Sequence, residues 1–276
     1  PSRRKYDLLN YFMLIPQEER NKVKYVSFDM WETYRIITKH VFPNAVCITD
    51  HFHVIQELNR RVDRVRIRVQ NRFRKTINTL KPKENNKTIT PEEIVELEEA
   101  SRYYYVLKKF NWLLASTNKK ILDVNVERRF NRTLNRYINY SEILAYMLNI
   151  DDELEEAFYL RNDVTYFYDH CTYDTAKKQL EKIIIDFRSS TVAEMSPFAN
   201  TLTNWKKEII NSFIIVDDKV NRKMNTAIVE NRNKSIKLMK HASNGYLNWE
   251  RFRNRILYTL NEDTTFYYTS IRKDGK

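Results

Sequence analysis

Two carboxylates, Asp29 and Asp50, each close a short apolar run, and that placement is where chemistry could begin. VKYVSF is β-branched and aromatic, too short for a helix, and ends at Asp29; AVCIT has the same character and ends at Asp50. Between them WETYRIITKHVF has helical spacing, with Trp31, Tyr34, Ile37 and Val41 on one face, and Pro43 and Asn44 stop it. A strand–helix–strand unit this tight implies parallel pairing through a crossover. Parallel pairing puts both acids at the carboxyl edge of the sheet, where open α/β folds keep their ligands. In a basic chain, two such carboxylates suggest metal-dependent chemistry on a polyanion.

A third acid of interest lies far along the chain. Glu230, Asn233, Lys234, Lys237 and His241 recur at three and four, so they share one face of a helix expected to run to Ser243 and end at Asn244-Gly245. A carboxylate followed by an amide and two ammonium groups could hold a metal ion and meet the phosphates beside it. The plainer alternative is a salt-bridged face, Glu230 to Lys234, worth a few tenths of a kcal/mol. A second helix is expected over about 247–260, packed by Trp249.

The elements that must position these groups follow from composition and pattern. The chain has 276 residues, net charge +12, 42% hydrophobic and 13% aromatic content, and only 2 Gly and 6 Pro. That is enough apolar material for a core and argues for long helices. The charge favours a polyanionic partner, nucleic acid before an acidic membrane surface. No apolar run approaches the roughly 18 residues of a membrane span, and no signal peptide is visible. Two cysteines make no disulfide framework; Cys47, inside an apolar strand, reads as a buried small hydrophobe suited to a reducing compartment.

From Phe52 to about Leu80 the pattern is helical, with Leu58, Val62, Val65, Val69 and Phe73 on one stripe. Eight of the sixteen residues from Arg60 to Lys75 are Lys or Arg, and Arg60, Arg61, Arg64, Arg68 and Arg72 are the candidates for contact with phosphates. A solvated surface helix is the alternative. LKPKENNKTITPEE reads as a polar linker ending in a helix start, with Thr90 as N-cap and Pro91 at the first position. Helices are expected over roughly 91–110, 123–139, 141–160, 174–188 and 198–215, with no convincing strand alternation among them.

Taken in order, RRKYDLLNYF, VKYVSFDMWETY, FPNA and DHFHVI, then YYYVLKKFNWLL, then VENRNKSIK and ASNGYLNWERFRNRI, the chain resembles the ISL-three family of bacterial insertion-sequence transposases. The resemblance spans nearly the whole chain, and the ordered set carries it rather than any single motif. It implies an α/β, RNase H-like core with a large all-α insertion, predominantly helical overall. Its parts would be a core segment at 1–56 with two parallel strands, a helical insertion at 57–215, and a return to the core at 216–276. It implies a DDE site in which carboxylates bind two Mg²⁺ (or Mn²⁺) ions, with Asp29 as the second acid and Glu230 as the third. Asp50 and His53 match the family's D-x-F-H motif, with Asp50 as a neighbour of the metal site or a structural element rather than a triad member.

The resemblance also implies DNA cleavage and strand transfer, transposon ends and target DNA as partners, a homo-oligomeric complex, and a bacterial cytoplasmic, nucleoid-associated setting. The family's first catalytic Asp has no counterpart here; Asp7 lies on a helix-like segment, and two distant cysteines cannot form the family's zinc ribbon. The chain is therefore expected to be a C-terminal part, able to bind DNA but inactive alone. A non-catalytic nucleic-acid-binding or assembly module, and a metal-dependent nuclease of the same fold, are the alternatives. Mg²⁺ prefers oxygen ligands, and two divalent ions about 4 Å apart can activate an attacking oxygen and stabilise a leaving one, so no histidine base is required. Trp31, Tyr34, Trp112 and Tyr103 to Tyr105 could stack on bases, although core packing explains most of them.

Overall fold

The computed structural model describes residues 4–217, 222–223, 227–243 and 245–260; the side chains of 216–230 fall outside the description. The chain divides into two compact units, residues 1–224 and 225–276.

The first unit begins with α1 (Lys5–Met13) and α2 (Gln17–Asn21), which lead into β1 (Tyr25–Phe28), α3 (Glu32–Val41) and β2 (Val46–Thr49). β1 and β2 pair in parallel in the register Tyr25↔Val46 to Phe28↔Thr49, as the tight strand–helix–strand pattern requires. Ile37 and Val41 bury the inner face of α3. Arg20 anchors the entry by donating to the carbonyls of Ile15 and Val41, at 3.0 and 3.2 Å. Cys47 is buried in β2, and that burial pushes its thiol pKa up.

From β2 the chain enters α4 (His51–Asn85), a single helix of 35 residues. The expected stripe is buried at Leu58, Val62, Val65 and Val69, and it packs against α5 (Pro91–Lys109) and α7 (Asp152–His170). The helix runs past Leu80 and through Pro82, so the polar linker shrinks to a short turn in which Lys87 takes a positive φ of 55°. Proline is tolerated there because it sits in the final turn, where little helix remains to disrupt. α5 starts on the expected Thr90 cap, completed by Glu93 into a capping box.

Residues 123–139 do not form the expected helix. After a 3-10 turn at Asn111–Ala115 they make an antiparallel hairpin, β3 (Arg129–Asn131) and β4 (Arg136–Ile138). Turn chemistry prevails over the apparent helical spacing: Asn131 Oδ1 accepts from Leu134 N at 3.1 Å, and Asn135 takes the left-handed region at φ 49°, which asparagine tolerates. The expected helix over 141–160 is likewise two, α6 (Tyr140–Leu148) and α7. They are separated where Asp151 adopts extended backbone and caps α7 through Leu154 N.

α8 (Tyr173–Ser189) matches expectation, whereas 198–215 divides into α9 (Phe198–Asn204), α10 (Lys206–Asn211) and the start of β5 (Ile215–Asp217), which pairs with β6 (Arg222–Lys223). α10 closes over the parallel strands. Asn211 Nδ2 donates to the Cys47 carbonyl at 2.9 Å, and the Trp205 ring lies 6.2 Å from that of Phe28. The result is an α/β, predominantly helical fold with a small parallel sheet.

The second unit contains α11 (Ala227–Ala242) and α12 (Trp249–Leu260). Gly245 stands between them at φ +96°, where a Cβ would be strained, and its N–H donates to the Lys240 carbonyl at 3.0 Å. Tyr246 stacks on Phe252 at 4.6 Å and accepts from Arg255 at 2.7 Å.

Candidate active site at the strand edge

Both acids sit where the strands end. The Asp50 backbone N–H donates to the Phe28 carbonyl at 3.3 Å, so Asp29 and Asp50 emerge side by side from the carboxyl edge of the β1–β2 pair. Their environments then diverge. Asp50 is 3% exposed and its Oδ1 accepts from Phe52 N at 3.0 Å, capping α4. His51 Nδ1 lies 3.4 Å from that same oxygen. Behind it, burial drives the Tyr168 phenol pKa upward, and the Asp50 carboxylate adds to the shift. This acid is engaged in holding the start of a helix.

Asp29 is different: its side chain is 54% exposed, and one oxygen, Oδ1, is met by His53 Nε2 at 2.5 Å. His53 stands on the first turn of α4, so the Asp50 cap fixes the backbone that presents it. Its ring is braced edge-on by Phe52 at 5.5 Å. Trp31, which precedes α3, and Tyr34 pack edge to face at 4.6 Å beside this edge.

An exposed carboxylate at a strand end, oriented by an imidazole, is a fitting oxygen ligand for a hard divalent cation. Asp50 fits that role poorly, because its buried oxygen is committed to the cap. Among the described residues no group of three or more His, Cys, Asp or Glu is placed to hold a metal. Glu230 falls on α11, but its side chain lies outside the described residues, so its expected convergence with Asp29 lies there too. Farther along α11, Asn233, Lys234, Lys237 and His241 are all solvent-exposed.

The α4 arginines are less available than their number implies. Arg68 forms a two-pronged pair with Glu194, at 2.8 and 2.9 Å, and also meets Glu153. Hydrogen bonding to Arg68 draws the Glu194 carboxyl below its ordinary range, and its two acids push the Arg68 guanidinium pKa up. Arg72 pairs with Asp151. Arg61 donates to Glu57 and to the Glu194 carbonyl, at 3.1 and 2.7 Å. Arg60 is 3.7 Å from Glu57, whereas Arg64 is exposed and makes no direct ion pair among the described residues, although its charge helps hold the Glu194 carboxyl down.

Several groups that frame the strand edge leave no mark in any local stretch of sequence. Arg35 lies 3.7 Å over the Trp205 ring, donates to the Asn204 carbonyl and pairs with buried Glu208 at 3.2 Å, pinning α3 to α10. Tyr168 and Asn211 come equally from distant helices. Only contacts across more than a hundred residues reveal them, and no short-range periodicity carries such information.

Comparison with known proteins places the chain in a family. The ISL3 family of DDE transposases, described as "Transposase", matches residues 1–256. A Bordetella parapertussis protein, the transposase for insertion sequence element IS1001, is 23% identical over 253 residues, covering 91% of this chain and 51% of the relative. The chain thus spans about half the length of that curated relative. No solved structure matches it significantly. No helix among the described residues is long and apolar enough to cross a membrane. With a family match over residues 1–256, nearly all its length, the chain belongs to the ISL3 family of DDE transposases.

Proposed function

We propose that this chain is the catalytic region of a DNA transposase, in which Asp29 and Glu230 bind divalent metal for strand cleavage and strand transfer. The observation that carries this reading is the half-exposed Asp29 carboxylate at the end of β1, held on one oxygen by His53. Asp29 and Glu230 would be the ligands, with Mg²⁺ or Mn²⁺ as the ion. When bound, the metal would polarise the phosphodiester and favour an ionised attacking oxygen. His53 orients the Asp29 carboxylate, Asp50 holds the helix that presents His53, and Asn233 lies one turn beyond Glu230.

On this reading β1, α3 and β2 (1–56) belong to an RNase H-like core, residues 57–215 are a helical insertion, and 216–276 return to that core. The partners are transposon ends and target DNA, Lys234, Lys237 and His241 face phosphates, and the working form is a cytoplasmic, nucleoid-associated homo-oligomer. On this reading both DNA cleavage and strand transfer depend on the metal that Asp29 and Glu230 would hold.

Two measurements test the assignment. Mn²⁺ binding by the chain, followed by electron paramagnetic resonance, should weaken at least tenfold in Asp29→Asn and in Glu230→Gln, in line with loss of a ligand. A short bifunctional thiol reagent should join Asp29→Cys to Glu230→Cys within one chain. Unchanged metal affinity together with no cross-link removes the catalytic reading and leaves a DNA-binding or assembly module.

A further inference from the structure

A second cluster of cations, remote in sequence from the strand-edge acids, converges on a cavity of about 820 Å³ between the β3–β4 hairpin, the end of α5 and the start of α6. Lys109, Arg129 and Arg132 line it against a single carboxylate, Glu127, so the balance of charge is three to one. Among the described residues none of these three cations has a carboxylate partner. The neighbouring acid Glu142 is engaged by Arg128, at 2.5 and 3.1 Å, and does not offset them. Lys109 instead donates to the Tyr105 hydroxyl at 3.0 Å. Burial opposes ionisation of that phenol, but donation from Lys109, Thr133 and Asn131 prevails and draws its pKa below the ordinary value.

The cavity also holds an unusual apolar element. Phe130, 50% exposed, faces Tyr137 across the hairpin with ring centroids 5.3 Å apart, and Tyr137 is itself 69% exposed. Two large rings left in water on a hairpin of three-residue strands do not contribute to the core. Phe130 lines the cavity, and the cross-strand ring braces it. A π face beside unpaired cations, in a space within the roughly 300–1,000 Å³ of ligand sites, matches one nucleotide: base on ring, phosphates on Lys and Arg.

The geometry points to the β3–β4 hairpin as a binding site for single-stranded DNA, in which Phe130 stacks on an unpaired base and Lys109, Arg129 and Arg132 hold the flanking phosphates. Bases inside a duplex are already stacked and cannot meet Phe130, so the site selects a strand that has been opened. This inference rests on DNA as the partner, but not on Asp29 or Glu230 as metal ligands.

The test uses the whole chain and a short fluorescein-labelled single-stranded oligonucleotide, with its duplex as the competitor. Anisotropy should show tighter binding of the single strand. Arg129→Glu with Arg132→Glu should weaken it at least tenfold and flatten the salt dependence by roughly 0.7 in log–log slope for each phosphate no longer neutralised. Phe130→Ala should cost roughly tenfold, and Phe130→Trp should restore the affinity. A 2-aminopurine placed in the strand should be quenched by the unaltered chain and not by Phe130→Ala, while circular dichroism confirms the fold of each variant.

Unchanged affinity and slope in the arginine variant, or equal losses for single strand and duplex, overturn the site while leaving the metal-ligand assignment standing. A chain that binds neither form of DNA overturns this site, and the DNA reading of the region with it. Normal single-strand binding, with Mn²⁺ affinity unchanged in Asp29→Asn and Glu230→Gln and no cross-link, would instead overturn only the catalytic assignment.

Discussion

Helix α4 and the β3–β4 hairpin are both rich in arginine, yet their charge is neutralised to different degrees. Along α4, five of the eight cations between Arg60 and Lys75 meet a carboxylate: Arg60, Arg61, Arg66, Arg68 and Arg72. On the hairpin wall, Arg129 and Arg132 meet none among the described residues. The denser run of charge is thus the better neutralised, and its guanidinium groups tie α4 to α7 and to the segment after α8. The sparser cluster keeps its charge for a ligand. Charge counted along a sequence reports how many cations there are; the field depends on where the acids fall in space.

Mutagenesis should separate the two regions cleanly. The largest effect on stability is expected for Arg66→Ala, because Arg66 is buried and donates to Asp63 at 2.7 Å, to the Leu107 carbonyl at 3.1 Å and to Gln70. Losing it leaves a buried carbonyl unsatisfied and should lower the unfolding free energy by about 2–3 kcal/mol in urea titration. Arg68→Ala comes next, at about 1 kcal/mol, since its two-pronged pair is partly screened by solvent.

An acid-dependent component should accompany it. Glu194 has a folded pKa below its unfolded value, so its contribution is present above the unfolded carboxylate range and is lost as the pH falls through the folded pKa. Glu194→Gln should therefore be less stable than the unaltered chain near neutrality, with the gap closing in acid. Smallest of all, Arg129→Ala should shift stability by no more than about 0.5 kcal/mol, as expected of an exposed side chain. If Arg129→Ala destabilised the fold as much as Arg66→Ala, the contrast between the regions would disappear. A strong loss of DNA affinity in Arg68→Ala with stability intact would reverse it.

The parts that were legible in the sequence are those built from near neighbours. The β1–α3–β2 unit, the Thr90 cap and the end of α11 at Ala242, just before Gly245, each depend on residues within a few positions of one another, and each lies about where the pattern places it. The hairpin was hidden for the same reason in reverse. Val126, Phe130, Leu134 and Ile138 step by four, which reads as a helix face, while strands of three residues are too short for alternation to show. The outcome was set by two asparagines whose side chains and backbone favour a turn.

At the strand edge the two acids and their shared rim could be read from sequence, but their different fates could not. Asp50 is a cap because α4 begins immediately after it; Asp29 stays half exposed because the chain turns away at Trp31 before α3 begins. The pairing of the α4 arginines was illegible, since Asp151, Glu153 and Glu194 lie far along the chain and approach only when α7 and the end of α8 fold back.

One unbroken rod joins the acid rim to the far side of its unit. At 35 residues, α4 is about 52 Å long, and His53 rides on its first turn. A tilt of about five degrees pivoting at Asp50 would swing the opposite tip through roughly 4.5 Å, given that rise per residue. Leverage also runs the other way: a load applied near Asn85 reaches the imidazole beside Asp29 much reduced in displacement, so that the aim of this carboxylate is shielded from jostling at the distant end.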